Sequence, residues 1–235
     1  MYLGLVFQKS CIRNYGNCKT MRTGLPPRPV NDEYVAIIRI RNGICVFGKN
    51  ECIYFGGKKR PKEITDTFKR MMCPVICIVL ESPHKYEYHG STPLGPALST
   101  TGRNLEQYLL PVLNMAIASK IIHLRDGIYR LLLVNAVSYQ CSNASNLKLN
   151  GNKKARDIVF SDVWACGGKK EFLKRIVKYK PSLIINSCTG GFQNVKNPND
   201  LNGKVTECLI RRGLRLVASA HPSSCFFWKK GLRKI

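Results

Sequence analysis

Four short apolar segments separated by helical patterns constrain the fold of this chain more than any other feature of its sequence. The segments are residues 74–80, 130–137, 182–186 and 214–220. Short apolar runs rich in branched side chains are typical of strands that are buried on both faces of a sheet. The intervals between them contain the helical patterns 104–120, 169–180 and 203–212. This alternation predicts an α/β fold with a central, mostly parallel sheet and helices on both faces.

The first 72 residues follow a different pattern. Residues 1–30 lack hydrophobic periodicity and end in a proline-rich run, which predicts an irregular arm. Two alternating runs, 34–41 and 44–47, are joined by Asn-Gly and predict a β-hairpin, with a third strand at 51–55 and a short helix at 64–71. We therefore expect an N-terminal arm and β-hairpin extension, residues 1–72, packed on a core domain, residues 73–235.

The charge of the chain limits its partners. The sequence has 38 Lys and Arg against 14 Asp and Glu, a formal net charge of +24. Such an excess predicts a polyanionic partner, and DNA is the first choice. The basic residues are spread among apolar runs, which argues against a disordered basic tail.

Apolar runs and cysteines bear on the location of the protein. No run approaches the length of about 18 residues that a membrane span needs, and the apolar stretch 2–7 has no basic region before it, as a signal peptide would. Eleven cysteines, an odd number spread along the chain, are typical of intracellular thiols. We expect a cytoplasmic microbial protein with no membrane contact and no obligate protein partner.

Polar residues that follow the predicted strands are the candidates for chemistry, because ligands bind at the carboxyl ends of parallel strands. Glu81 and Glu87 follow the first strand. A carboxylate there can activate a water or stabilise a cationic sugar in a transition state. The alternative interpretation is a solvated loop glutamate paired with a lysine such as Lys85.

Asn135 and His221 end two later strands. His221 precedes a proline and two serines, whose hydroxyls can bind phosphate oxygens. The amide of Asn135 offers two donor hydrogens and an acceptor oxygen, which suit the edge of a nucleobase. The alternatives are a structural histidine and an amide that bonds to neighbouring backbone.

Four motifs in this order resemble the uracil-DNA glycosylase superfamily. They are Ile-Val-Leu-Glu-Ser-Pro at 78–83, Gly-Pro-Ala-Leu-Ser at 95–99, Leu-Leu-Val-Asn-Ala-Val at 132–137 and His-Pro-Ser at 221–223. The nearest branch is the one with the first motif Gly-Glu-Ala-Pro-Gly and an iron–sulfur cluster, and the resemblance covers about residues 74–228. It implies a glycosylase-like α/β fold, a monomer, and removal of a flipped base from DNA to leave an abasic site.

The resemblance also implies roles for single residues. Glu81 takes the acidic position beside the base, Glu87 supports hydrolysis, Asn135 reads the flipped base, and His221 stabilises negative charge on the departing base. The phosphate contacts fall on Ser99, Thr100, Thr101, Gly102, Ser223 and Ser224. Phe226 or Phe227 takes the place of the apolar wedge that enters the base stack, and the alternative for both rings is core packing.

Departures from the family pattern concern the base pocket. Ser82 stands where many members carry a water-activating aspartate or an asparagine, so that Glu87 becomes the better candidate base. His84 replaces the residue that lies against the C5 side of the base, and Ala97 or Leu98 replaces a stacking phenylalanine. A smaller side chain there leaves room for a larger base. The expected substrates are therefore uracil-like pyrimidines or a bulky modified cytosine such as glucosylated hydroxymethylcytosine, in base-excision repair or in defence against phage.

Four cysteines fall in the regions where the related branch ligates its [4Fe–4S] cluster. They are Cys11, Cys18, Cys141 and Cys166. The spacing of the first pair differs from that of the branch, which favours free thiols as the alternative. No cofactor is expected to be required for catalysis.

Two other function classes compete with the glycosylase. A non-catalytic DNA-binding module on the same fold is favoured by Ser82 and opposed by the combination of Glu81, Glu87, Asn135 and His221. A nuclease would need clustered carboxylates for Mg²⁺. The loops at the predicted strand ends contain no pair of neighbouring aspartates, which argues against a nuclease.

Overall fold

A seven-stranded sheet organises the protein. The computed structural model describes residues 29–48, 62–89, 92–141, 157, 160–189 and 200–235. The strands are β1 (Glu33–Arg41), β2 (Ile44–Phe47), β3 (Val75–Leu80), β4 (Tyr88–His89), β5 (Thr92–Pro93), β6 (Gly127–Asn135), β7 (Leu183–Asn186), β8 (Leu216–Ala218) and β9 (Arg233–Lys234). The sheet has the order β2-β1-β6-β3-β7-β8-β9, and β4 and β5 form a separate short hairpin.

Four neighbouring strands at the centre of the sheet, β6, β3, β7 and β8, are parallel. β1, β2 and β9 add antiparallel edges. The prediction of an α/β fold with a mostly parallel central sheet is therefore confirmed. Every residue of β3 is buried, as expected for a strand that is covered on both faces.

The N-terminal hairpin belongs to this same sheet, because β1 pairs directly with β6. Its turn, Asn42 and Gly43, has positive φ at both residues, and the Asp126 carboxylate accepts both N–H groups at 2.7 and 3.3 Å. The hairpin is thus an edge of the core sheet and more than an extension packed on it. The predicted arm, residues 1–28, and the predicted third strand, residues 51–55, lie outside the described residues.

Among the described residues, the sheet is covered by the helices α1 (Lys62–Arg70), α2 (Thr100–Ala118), α3 (Lys169–Tyr179), α4 (Leu201–Ile210) and α5 (Phe226–Lys230). Alternate residues of β3 divide the core into two clusters. Val75, Cys77 and Val79 pack with residues of α3 and α4. Ile76, Ile78 and Leu80 pack with residues of α2 and α5. Helices on both faces are therefore confirmed.

Element boundaries differ from the predictions by a few residues, and the shortest elements were not predicted. α2 begins at Thr100 rather than at residue 104. α5 and β9 have too few residues for a periodic pattern to be detected, because helix and strand periodicity needs a longer window. Within the described ranges, no helix is long and apolar enough to cross a membrane.

Candidate functional site

The carboxyl ends of the parallel strands meet at one edge of the sheet. From β3 the chain passes to β6 on one side and then to β7 and β8 on the other, so the direction of winding changes between β3 and β7. A crevice outside the strand ends is expected at such a point. Leu80 pairs with Asn135 in the register of β3 and β6, and the next residue, Glu81, accepts the Val137 N–H at 3.0 Å through its carbonyl oxygen.

Asn135 is the residue of this edge with the clearest need for a ligand. It is 1% exposed, and neither its side-chain nitrogen nor its side-chain oxygen has a hydrogen-bond partner among the described residues. Burying an unpaired amide costs about 1–3 kcal/mol in proteins. Because Asn135 pairs with Leu80, it lies on the sheet face that carries α2. The structure thus keeps the full hydrogen-bonding capacity of a buried amide at the strand end.

Asn186 ends β7 and shows what a structural asparagine looks like in this fold. Its Nδ2 donates to the Asn202 carbonyl oxygen at 3.1 Å and to Thr206 Oγ1 at 2.9 Å. Its Oδ1 accepts the Cys188 N–H at 3.2 Å. The protein therefore satisfies both the Nδ2 and the Oδ1 of Asn186. Among the described residues, the corresponding atoms of Asn135 have no hydrogen-bond partner.

Glu81 and Ser82 follow β3 directly. Glu81 is buried, and its carboxylate contributes to a raised pKa of the Cys188 thiol, although burial of that thiol is the larger cause. This places the charge of Glu81 near the end of β7, at the point where the winding direction changes. The Ser82 hydroxyl is buried and makes no hydrogen bond within the described part of the chain.

Glu87 has a defined structural contact. It lies in a short 3₁₀ turn, Lys85–Glu87, and is buried. Its Oε1 accepts the backbone N–H of Ala97 at 2.8 Å. Ala97 has a φ of +59°, which is uncommon for a residue with a Cβ and has to be supported by its surroundings. Glu87 therefore holds the loop that leads into α2.

His221 has its tautomer set by a neighbouring backbone group. Its Nδ1 lies 3.3 Å from the Ser223 nitrogen, which donates, and 2.8 Å from Ser223 Oγ. A nitrogen that accepts an N–H carries no proton, so the neutral ring is protonated at Nε2. The same turn is tied to α2, because Asn104 Nδ2 donates to the Pro222 carbonyl oxygen at 2.7 Å.

The residues expected around the base are buried to different degrees. Ala97 and Leu98 are both buried, and Ala97 belongs to the core cluster that packs with α2, on the face of the sheet to which Asn135 belongs. His84 is half-buried, and its ring centroid lies 5.0 Å from that of Tyr86. Tyr86 itself is exposed, and the sequence analysis did not select it, because a single tyrosine in a loop carries no periodic signal.

The residues expected at phosphates separate into accessible and buried ones. Ser223 and Thr100 are exposed, and Ser99 and Ser224 are half-buried. Thr101 and Gly102 are buried in the first turn of α2. Thr101 and Gly102 are therefore less accessible than the other four residues, and phosphate contacts there stay a prediction.

The two candidate wedge residues differ in the same way. Phe227 is fully buried in the α2-side core, so that it fills the interior and cannot enter DNA without unfolding of α5. Phe226 is 43% exposed, and Lys230 Nζ lies 4.8 Å from the centre of its ring. The structure corrects the expectation for Phe227 and leaves Phe226 as the accessible aromatic residue of this turn.

Arg175 of α3 supports the strand end from the other face of the sheet. One of its terminal nitrogens donates to the Asn135 carbonyl oxygen at 2.8 Å and to that of Ala136 at 3.4 Å. The other forms an ion pair with the Asp32 carboxylate, which is 2% exposed. The sequence held no signal for this role, because a basic residue on a helix is usually a solvated one.

The structure describes two of the four cysteines that the family resemblance assigned to a cluster. Cys141 is buried and its thiol donates to the Tyr139 carbonyl oxygen at 3.4 Å, while Cys166 is half-buried at a kink between two helical segments, next to Gly167 with a φ of +120°. Cys11 and Cys18 lie outside the described residues. Within those residues, no group of three or more His, Cys, Asp or Glu could hold a metal ion.

The site is thus built from the ends of β3, β6 and β8 and the start of α2. Its features are a buried amide without a protein partner in the described ranges, two buried carboxylates, and a histidine with a fixed tautomer. In comparisons with protein-family models, curated proteins and solved structures, the chain matched none of them.

Proposed function

We propose that this protein is a DNA glycosylase with a fold like that of uracil-DNA glycosylases. It hydrolyses the N-glycosidic bond of a flipped uracil-like pyrimidine or a bulky modified cytosine and leaves an abasic site. The buried amide of Asn135, which lacks a partner in the described part of the chain, carries the proposal. Its support in the sequence is the order of the four motifs, and the net charge of +24 fits a DNA partner.

The role of Asn135 follows from its hydrogen-bonding groups. A pyrimidine presents neighbouring donors and acceptors on its base-pairing edge, and an amide can match them with two donor hydrogens and one acceptor oxygen. Because the amide is already buried, a base that binds it gains hydrogen bonds without having to remove bound water from an exposed side chain. A flipped base would therefore remove the desolvation penalty that Asn135 carries in the free protein.

The reaction needs opposite charges at two positions. The bond from the base to C1′ of the sugar breaks with its electron pair leaving on the base, and a water adds to C1′. His221, protonated at Nε2, donates a hydrogen bond to the anionic base. Glu81 stabilises the cationic sugar, and Glu87, oriented by the Ala97 N–H, accepts the proton of the attacking water.

The test is base release from a panel of DNA substrates, read by alkaline cleavage of abasic sites. The panel contains uracil, cytosine, hydroxymethylcytosine and glucosylated hydroxymethylcytosine. We expect release from at least one of them, reduced by about 100-fold or more in Asn135→Leu and His221→Ala. Glu207→Gln, a change at an exposed residue of α4, is the matched control and should retain full activity. Retained DNA binding without abasic sites from any substrate would contradict the glycosylase.

A non-catalytic DNA-binding module is the second candidate, and the contact between Glu87 and Ala97 favours it. That contact gives Glu87 a structural role that would explain its burial without catalysis. If Glu87 is structural, no base remains at this position, because a serine such as Ser82 does not accept a proton from water. Glu87→Gln separates the two functions, because glutamine keeps an oxygen that can accept the Ala97 N–H but cannot accept a proton from water. Loss of base release with unchanged DNA affinity supports catalysis, whereas unchanged behaviour in both assays assigns Glu87 to loop support.

A further inference from the structure

Two exposed aromatic side chains lie on loops at the carboxyl edge of the sheet. Tyr86, 59% exposed, belongs to the loop after β3, and Phe226, 43% exposed, begins α5 after β8. Among the described residues, they are the two aromatic side chains in the exposed class. Exposed aromatic rings are rare because burial of a ring is favourable. Their occurrence at this edge therefore calls for a ligand that stacks on them.

The backbone at both rings is anchored by a hydrogen bond, and each ring also contacts one neighbouring side chain. The Tyr86 N–H lies 3.4 Å from His84 Nδ1, and the two rings are tilted by 45°. The Phe226 N–H donates to Ser224 Oγ at 3.3 Å. α5 is in turn fixed to α2, because Trp228 stacks on Tyr108 with the ring centres 4.4 Å apart. A ring that is already oriented loses little conformational entropy when a base stacks on it.

The surroundings of Phe226 are basic. Lys229 and Lys230 are exposed on α5, and Arg103 is exposed in the first turn of α2, next to the contact of Asn104 with Pro222. Lys230 also approaches the Phe226 ring directly. An apolar protein partner would need a contiguous apolar surface, whereas rings interleaved with cations suit a nucleic-acid strand whose bases stack and whose phosphates pair with the cations.

We propose that Tyr86 and Phe226 are stacking platforms for two bases of a single-stranded DNA segment, on either side of the nucleotide that enters the site. β3 and β8 are separated only by β7, so their ends are roughly 10 Å apart, and the loops that carry the two rings leave the sheet at neighbouring points of the same edge. In a duplex the neighbours of the target remain stacked on each other, and one wedge is sufficient. Two platforms instead suit bases that are already unstacked. The inference rests on the proposed function and specifies that its substrate is single-stranded DNA.

The test uses unmodified DNA, so it does not depend on catalysis. A labelled oligonucleotide of mixed sequence is titrated with protein, single-stranded and as a duplex with its complement, at one salt concentration, and binding is read by fluorescence anisotropy. We expect tighter binding of the single strand. Tyr86→Ala and Phe226→Ala should each weaken it about tenfold, with less than about a twofold change for the duplex.

Conservative and distant variants complete the design. Tyr86→Trp and Phe226→Trp keep an aromatic face and should bind the single strand about as tightly as the unmodified protein. Val177→Ala, at an exposed residue of α3, should change neither affinity. Equal losses for both DNA forms, or no loss for either, would overturn the inference. If binding of the single strand depends on the two rings but no base is released from any substrate of the panel, the stacking platforms are supported and the glycosylase is contradicted. If a base is released but binding of the single strand does not depend on the rings, the glycosylase is supported and the platforms are contradicted.

Discussion

At the scale of single residues, two asparagines show how hydrogen bonding divides structure from function. Asn135 and Asn186 end the strands on either side of β3, and both are almost completely buried. Asn186 is satisfied by Asn202, Thr206 and Cys188. Neither amide group of Asn135 has a hydrogen-bond partner among the described residues, and under the proposed function they bind the base. Functional groups that are held ready in this way lower the stability of a protein, and their removal often raises it.

The two asparagines should therefore respond differently to replacement by leucine. We expect Asn186→Leu to lower the free energy of unfolding by about 1–3 kcal/mol, because it leaves the buried Cys188 N–H without its acceptor and removes the hydrogen bonds to Asn202 and Thr206. Asn135→Leu should leave the free energy of unfolding unchanged or raise it, because no described partner is lost. Urea denaturation of both variants measures the difference. A loss for Asn135→Leu as large as that for Asn186→Leu would make Asn135 a structural residue.

At the scale of elements, helix α3 is joined to the end of β6 by one side chain. Arg175 bonds to the backbone of Asn135 and Ala136 and pairs with Asp32, which precedes β1. Burial raises the pKa of Asp32, and the charge of Arg175 opposes that rise. Through this contact, the position of the end of β6 depends on α3 and on the segment that leads into β1.

Arg175→Met should lower the free energy of unfolding at neutral pH by about 3 kcal/mol, because it leaves a buried carboxylate without its cation. Without Arg175 the folded-state pKa of Asp32 rises further, so the folded protein binds a proton more readily than the unfolded chain. The variant should therefore lose less stability near pH 4 than at pH 7. Urea titrations at both values measure this.

The double variant with Asp32→Asn provides the control. It should be more stable at neutral pH than Arg175→Met alone, because the buried charge is gone. An equal loss for Arg175→Met at both pH values would show that the Asp32 charge does not matter and that the backbone contacts of Arg175 account for the whole effect.

At the scale of the whole molecule, the core contains several ionisable groups that burial keeps protonated. Burial raises the pKa of the Cys45 thiol to about 11. It also raises those of Cys77, Cys188, Tyr88 and Tyr179. In the unfolded chain these groups lose their protons at lower pH than in the folded protein. Their contribution to stability is therefore complete at neutral pH and is lost progressively as the pH rises above about 9.

Replacement of two of the buried thiols should flatten this alkaline loss. Each group contributes a slope of up to about 1.4 kcal/mol per pH unit above the pKa that it has in the unfolded chain. We expect the double variant Cys77→Ala and Cys188→Ala to be less stable than the wild type at neutral pH, because it leaves cavities. Its stability should fall less steeply between about pH 8 and pH 10, as measured by urea denaturation. Parallel curves for both proteins would contradict the assignment.

The sequence determined the position of the four parallel strands of the sheet and of the first hairpin. Residues 74–80 predict a buried strand because every second side chain meets one of two covered faces, and β3 at Val75–Leu80 confirms it. The Asn-Gly pair at 42–43 predicts the first hairpin because its turn needs positive φ. The sequence also placed Glu81, Asn135 and His221 at strand ends, because each of them comes at the end of an apolar run that predicts a buried strand.

Tertiary structure decided what these residues can do. Asn135 and Asn186 both follow apolar runs, and only the packing of α4 against β7 gives one of them its partners. Phe226 and Phe227 are neighbours in sequence, yet the direction in which α5 meets α2 buries one ring and exposes the other. Glu87 and Arg175 acquire their roles from residues 10 and 40 positions away. Local patterns set the backbone, but hydrogen-bond partners come from distant parts of the chain, and only the folded arrangement brings them together.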